Sequence, residues 1–181
     1  VITLPTEQGF PLWLAMGMLV RGGVLADQGQ LKEGIQMRQS RSTVFLVLLA
    51  EAYRKVGRVE EGLTVLAEAL AIVDKTGERV GEAELYRVKG ELTLAQSRVQ
   101  GLASSVQKEA EGCFLKAIEI SRRQQAKSLE LRAVMSLSQL WQRQNKEKEA
   151  HEMLAEIYNW FTEGFDTKDL QDAKRLCEEL S

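Results

Sequence analysis

Apolar residues recur at three- and four-residue intervals along LAMGMLVRGGVLADQ, VFLVLLAEAYRKV and RAVMSLSQLWQRQ, the period of a helix with one buried stripe. Directly after each stands a related octad: GQLKEGIQ (29–36), GRVEEGLT (57–64) and NKEKEAHE (145–152). Another helix-period stretch follows, clearest in VEEGLTVLAEALAIVDK. The chain therefore reads as helix pairs with the octads as punctuation between them. Gly29, Gly57 and Asn145 each stand where a helix ends in the left-handed conformation, which glycine and asparagine tolerate best.

GRVEEGLT also has the outline of a phosphate-binding loop: Gly57, four residues, Gly62, then Thr64. Leu63 occupies the place of the lysine that reaches the β- and γ-phosphates, and the context is helical rather than strand-to-helix, so the phosphate reading fails.

The order of small and large residues is similar to the tetratricopeptide pattern. Leu46, Leu49, Ala50 and Tyr53 followed by Gly62 and Leu66 make the best copy. Val134, Leu137, Ser138 and Trp141 followed by Ala150 and Leu154 make another, with Met18, Gly22, Leu25 and Gly34 a weaker first. Small residues at Gly22, Ala50, Gly90 and Ser138 allow one helix to approach the next, and the bulky residue three further on fills the space beside it. In the third pair, Tyr86, Gly90 and Thr93 open and Ala110, Phe114 and Ala117 continue, but the Gly/Ser/Gln-rich stretch 97–107 has no clean apolar stripe and predicts an extended loop.

The expected fold is all-α: a right-handed α-solenoid of antiparallel helix pairs with a C-terminal capping helix, forming a single repeat domain over 1–181. Its parts are the end of a preceding helix (1–9), repeat 1 (11–40), repeat 2 (43–75), repeat 3 (80–125), repeat 4 (127–163) and the cap (167–180). Gly164 is expected to stop a helix, with Phe165 making the hydrophobic contact that follows. Asp166 or Thr167 then caps the last helix, whose stripe is Leu170, Ala173, Leu176, Cys177 and Leu180. Turn spacing is uneven, since the third turn is expected near Ser105, whereas only 28 residues separate Gly29 from Gly57. That short interval predicts a stunted second helix from Leu31, or residues absent from the chain between about Gln39 and Thr43.

Composition agrees with helix. Both prolines, Pro5 and Pro11, lie near the start, so nothing after Leu12 carries the strongest helix breaker. Lys plus Arg (24) nearly balance Asp plus Glu (26), which leaves no global field to draw the chain onto nucleic acid or an anionic membrane. The longest uncharged run, Gly9–Val20, falls short of the ~18 residues of a membrane span. Cys113 and Cys177 are far apart and share no metal-ligand spacing with the single histidine, His151, which fits a reducing, cytoplasmic setting with no metal and no cofactor. A start at Val1 fits a piece of a longer protein.

No catalytic constellation can be assembled around one histidine. His151, among Lys148, Glu149 and Glu152, is expected to be a solvated surface residue, and Cys113 beside Phe114 a small core residue. Trp141, Tyr158, Trp160 and Phe161 are expected to fill interhelical space. Glu60 and Glu61 point about 100° apart on a helix, and the helix-end charge explains them.

GFPLWLAMG, LLAEAYRKVGRVEEGLTVLAEAL, EAELYRVKGELTLAQ and above all AKSLELRAVMSLSQLWQRQNKEKEAHEMLAEIYNWFTEGFDTKDLQDAKRLCEEL resemble the C-terminal tetratricopeptide-like region of bacterial multidomain signal-transduction ATPases. Proteins of that kind often carry a class III adenylate or guanylate cyclase domain, or a DNA-binding domain, upstream. The resemblance implies a repeat domain that carries neither the nucleotide-binding nor the cyclase chemistry.

In such a stack the first helix of each repeat lines the concave side. The solvent-facing positions there are Glu51, Arg54, Lys55, Arg87, Glu91, Arg132, Gln139, Gln142 and Arg143. Guanidinium groups match carboxylates in forked geometry, so Arg54, Lys55, Arg87, Arg132 and Arg143 are expected to take an acidic protein or peptide segment, with Glu51 and Glu91 limiting affinity for nucleic acid. The functional expectation is a non-catalytic protein-interaction and sensor module acting on upstream domains of the same chain. The alternative is a homodimerisation scaffold that brings those domains together. A solvated face with internal ion pairs is the bland alternative for the charged surface itself.

Overall fold

A computed structural model describes residues 31–181 except 78 and 101–102, with side chains described over 43–77, 79–96 and 104–181. The segment expected to end a preceding helix (1–9), the first helix of repeat 1 with Met18, Gly22 and Leu25, and the turn at Gly29 lie outside the described residues. Among the described residues every regular element is an α-helix, so the chain is all-α there. No helix among them is long and apolar enough to cross a membrane. The chain divides into two compact units, Val1–Gly81 and Glu82–Ser181.

In the first unit, α1 (Leu31–Lys55) packs against α2 (Val59–Thr76). Val47 and Ala50 of α1 are buried, as are Gly62, Leu66, Ala69 and Val73 of α2 at the helical spacing read from the sequence. The turn between them is closed by Gly57 at φ 76°, and the Arg58 N–H donates to the Tyr53 carbonyl at 2.9 Å. Gly57 thus ends a helix, as its place in the octad requires. The expected interruption between Gln39 and Thr43 is absent: α1 runs without a break from Leu31 to Lys55. Gln39, Ser40 and Ser42 cost a helix interior only a few tenths of a kcal/mol each, and no glycine or proline stands between Gly34 and Gly57 to stop it.

The second unit comprises α3 (Glu82–Gln100), α4 (Ala103–Arg123), α5 (Lys127–Arg143), α6 (Glu147–Tyr158) and α7 (Lys168–Glu179). Each helix packs on the next. In addition α3 touches α5 and α5 touches α7, whereas among the described residues the backbones of α4 and α6 do not come close to each other. Phe114, Ala117 and Ile118 of α4, Leu131, Val134, Leu137 and Leu140 of α5, Ala150, Leu154 and Ile157 of α6 and the α7 stripe share one core. Asn145 adopts φ 58° and lets the Lys146 N–H reach the Trp141 carbonyl at 3.0 Å, which gives the last octad the role expected of it. Gln125, at φ 55°, closes the turn after α4 in the same way, a position for which the sequence offers neither Gly nor Asn.

Of the extended loop expected over 97–107, residues 97–100 belong to α3, which reaches Gln100, and 103–107 to α4, which begins at Ala103, so Ser105 is helical and not a turn. Ser and Gln are tolerable in helices, and the close packing of α3 on α4 supplies what their propensity does not. With 19 and 21 residues, α3 and α4 make a pair longer than the ~34-residue tetratricopeptide unit, while α5 and α6, with 17 and 12, come close to it.

Gly164 is left-handed at φ 77° but stands beyond the end of α6, which stops at Tyr158. Phe165 nonetheless folds back onto the helix end, with its ring 5.9 Å from that of Tyr158 in an edge-on arrangement. Thr167 occupies the position before α7, yet its hydroxyl donates to the Gly164 carbonyl instead of accepting from the helix. Leu170, Ala173, Leu176 and Leu180 are buried and Cys177 half-buried against α5 and α6, so the expected stripe of the last helix is the one that packs.

Candidate functional site

The charged cluster of the second unit begins on α3, where Glu84, Arg87 and Glu91 follow one another at three- and four-residue steps and so share a face. Arg87 Nη2 donates to Glu84 Oε1 at 2.6 Å and Nη1 to Glu91 Oε1 at 2.5 Å. The Arg87 side chain is only 12% exposed, so a cation is held between two carboxylates with little water to screen it.

Two further helices converge on this cluster. From α5, the Ser136 hydroxyl donates to Glu91 Oε1 at 2.9 Å, and Arg132 Nη1 lies 3.8 Å from Glu84 Oε1. Arg132 Nε also donates to Asp169 of α7 at 2.6 Å. The second Glu84 oxygen is buried without a hydrogen-bond partner among the described residues. The cluster thus spans α3, α5 and α7, with α5 touching the other two.

Of the nine residues expected on a partner-binding face, the fold brings together Arg87, Glu91 and Arg132. Arg54 and Glu51, in the first unit, form a forked pair with each other at 2.8 and 3.2 Å. Lys55, Gln139 and Arg143 are exposed and Gln142 is half-buried, and none of these four side chains has a hydrogen bond or ion pair among the described residues. The expectation of arginine forks open to an acidic segment is therefore not met at Arg54, Arg87 or Arg132. Each is already engaged by a carboxylate of its own unit, and in the α3–α5–α7 cluster three carboxylates face two guanidinium groups. Glu84, Ser136 and Asp169 were missed. Glu84 was legible as a helix neighbour of Arg87, whereas Asp169 reaches Arg132 only through the packing of α7.

A second buried charge lies at the α4–α5 turn. The Glu130 carboxylate, 3% exposed, accepts from Arg122 Nε at 2.6 Å and from Lys127 Nζ at 2.8 Å. Burial pushes its pKa up, but the hydrogen bonds from Lys127 and Arg122 outweigh that and hold it below the usual carboxylate value. In the first unit, Glu61 is held low by a hydrogen bond with its own backbone N–H and then by Arg58, in keeping with a helix-start role.

Cys113 is buried and its thiol is pushed up by burial, as is that of half-buried Cys177, so neither is built as a nucleophile. His151 is half-buried. Trp141 packs on the core and donates its indole N–H to Glu111 at 2.8 Å, and Tyr158 and Phe161 are partly buried there too. Trp160 departs from expectation: it is 57% exposed, because α6 ends before it and turns the indole outward, edge-on to Phe161. Among the described residues no group of His, Cys, Asp and Glu is arranged to hold a metal ion. Neither the protein-family models nor the curated proteins compared with the chain give a match.

Proposed function

We propose that this chain is a non-catalytic protein-interaction and regulatory module of a larger signal-transduction ATPase or cyclase-type regulator, built as an α-solenoid of tetratricopeptide-like helix pairs. The observation that supports this best is the approach of alternate helices: α5 packs closely on both α3 and α7, while among the described residues the backbones of α4 and α6 do not approach each other. A stack of helix pairs behaves this way when it curves with one helix of each pair on the inside. On that reading the inner helices present the Glu84–Arg87–Glu91–Arg132–Asp169 cluster to a bound segment.

A partner on this face must exchange with ion pairs already made. Displacing a carboxylate from Arg87 uncovers a nearly buried charge, so only a segment that replaces the carboxylate is tolerated there, while exposed Arg132 is far easier to recruit. Recognition would thus work by substitution, and occupation of the face would shift how α3, α5 and α7 pack against one another.

The test is a pair of measurements on the purified chain. Nucleotide hydrolysis is expected at the buffer rate, and light scattering is expected to give a monomer at all concentrations. Turnover abolished by substituting a residue of this chain would overturn the non-catalytic reading. A concentration-dependent dimer would favour the scaffold alternative.

A further inference from the structure

On α6, Glu149, Glu152 and Glu156 lie at three- and four-residue steps and are all exposed, which makes one acidic stripe. Glu152 has only exposed Lys148 nearby, at 3.9 Å, and the Glu149 and Glu156 carboxylates have no partner among the described residues. The backbone continues to coil past the helix end, with the Asn159 N–H bonded to the Ala155 carbonyl and the Trp160 N–H to that of Ile157. Trp160 therefore emerges one turn beyond Glu156, at the end of the stripe.

Trp160 is 57% exposed and Phe165, five residues further on, 47%. The Trp160 indole N–H makes no hydrogen bond among the described residues, and the carboxylates of exposed Glu163 and Asp166, in the segment that follows, are likewise unpaired there. The ring already attracts a cation, since Lys127 Nζ stands 5.7 Å from its centroid. The acidic stripe, in which Lys148 stands beside Glu152 alone, runs about 16 Å from Glu149 to Trp160, the length of three helical turns, and exposed Trp160 and Phe165 follow it along the chain.

We propose that the exposed face of α6 and the segment 160–165 that follows it form a docking surface for a basic amphipathic segment of a partner protein. Lys or Arg side chains of that segment pair with Glu149, Glu152 and Glu156, and one apolar side chain seats on Trp160. Charge complementarity selects the sign of the partner, and the exposed rings select an amphipathic segment over a merely cationic one. This surface is separate from the α3–α5–α7 cluster and does not depend on the role given to that cluster.

The experiment uses the full chain and three fluorescent peptides: a Lys/Leu amphipathic helix, its Glu/Leu counterpart, and an oligolysine of equal charge, read by anisotropy in about 150 mM salt. The Lys/Leu peptide is expected to bind at least about tenfold more tightly than either control. Trp160→Ala is expected to weaken it by about tenfold, and Glu152→Lys with Glu156→Lys to remove the preference for the basic peptide. Circular dichroism checks that the variants remain helical, and the charge reversal on an exposed face keeps the test decisive if Trp160→Ala does not. Equal binding of the Glu/Leu peptide or of oligolysine, unchanged affinity in the variants, or no binding of the Lys/Leu peptide up to about 1 mM would overturn the proposal.

Discussion

Gly90 of α3 and Phe114 of α4 are packed so closely that a β-carbon on residue 90 would stand 2.5 Å from the edge of the Phe114 ring. Phe114 is fully buried, so the ring cannot give way without disturbing the core that α4 shares with α5 and α6. Gly90→Ala gains up to ~1 kcal/mol of helix propensity but is expected to lose about 1–3 kcal/mol to overpacking, a net destabilisation read from the urea midpoint. Gly112→Ala, on the open side of α4, meets nothing within 4 Å and is expected to stabilise by up to ~1 kcal/mol. Equal stability of the two variants would contradict the packing.

Gln125 holds a left-handed backbone without the glycine that makes it easy. Its side chain is exposed, so Gln125→Gly is expected to raise stability by about 0.5–1 kcal/mol, while Gly57→Ala, at an equally left-handed position, is expected to lower it by about 1 kcal/mol. Thermal melts of the two variants should move in opposite directions.

Glu130 makes part of the second unit's stability depend on pH. Its pKa is lowered on folding, so its contribution is present above the unfolded value of ~4.3 and is lost as pH falls through the folded one. At pH ~7 Glu130→Gln is expected to cost about 1–3 kcal/mol, since Arg122 and Lys127 lose a charged acceptor in a buried place. The gap between wild type and variant should close on acidification below pH ~4. A gap that stays constant from neutral to acid pH would show that the carboxylate charge is not what stabilises the turn.

Arg87 and Arg132 share Glu84 but sit in different dielectric surroundings. Arg87→Met strands two carboxylates in a nearly buried place and is expected to cost about 3 kcal/mol or more. The Arg132–Asp169 pair is half-exposed, and a double-mutant cycle should return a coupling of only ~0.2–1 kcal/mol, falling with added salt. If Arg132 proved as costly as Arg87, the shared face would be a structural lock and not a surface a partner can recruit.

Thiol labelling should separate the two cysteines. Burial raises both thiols, so both should react more slowly than free cysteine at pH ~7 and speed up as pH rises. Half-buried Cys177 should react first, and buried Cys113 only as the protein unfolds. Prompt labelling of Cys113 in the folded chain would contradict its place in the core.

Local chemistry alone determined the all-helical character, the turns at Gly57 and Asn145, the tight approach at Gly90 and the apolar stripe of the last helix. Period, small-residue placement and left-handed tolerance are properties of a few neighbouring residues, and they survive translation into three dimensions. The helix running through 31–55 and the helices covering 97–100 and 103–107 were not legible, because serine and glutamine are only weak helix breakers and neighbouring contacts overrule differences of a few tenths of a kcal/mol. Charge followed the same division. The nine polar positions could be placed on helices from sequence, but whether an arginine faces a partner or a carboxylate of its own chain depends on which helix lies beside it. Only the packing of α5 beside α3, and of α7 beside α5, brought Ser136 to Glu91 and Asp169 to Arg132. The exposure of Trp160 was also decided in three dimensions, since an aromatic side chain has the same hydrophobicity whether its helix ends before it or after it.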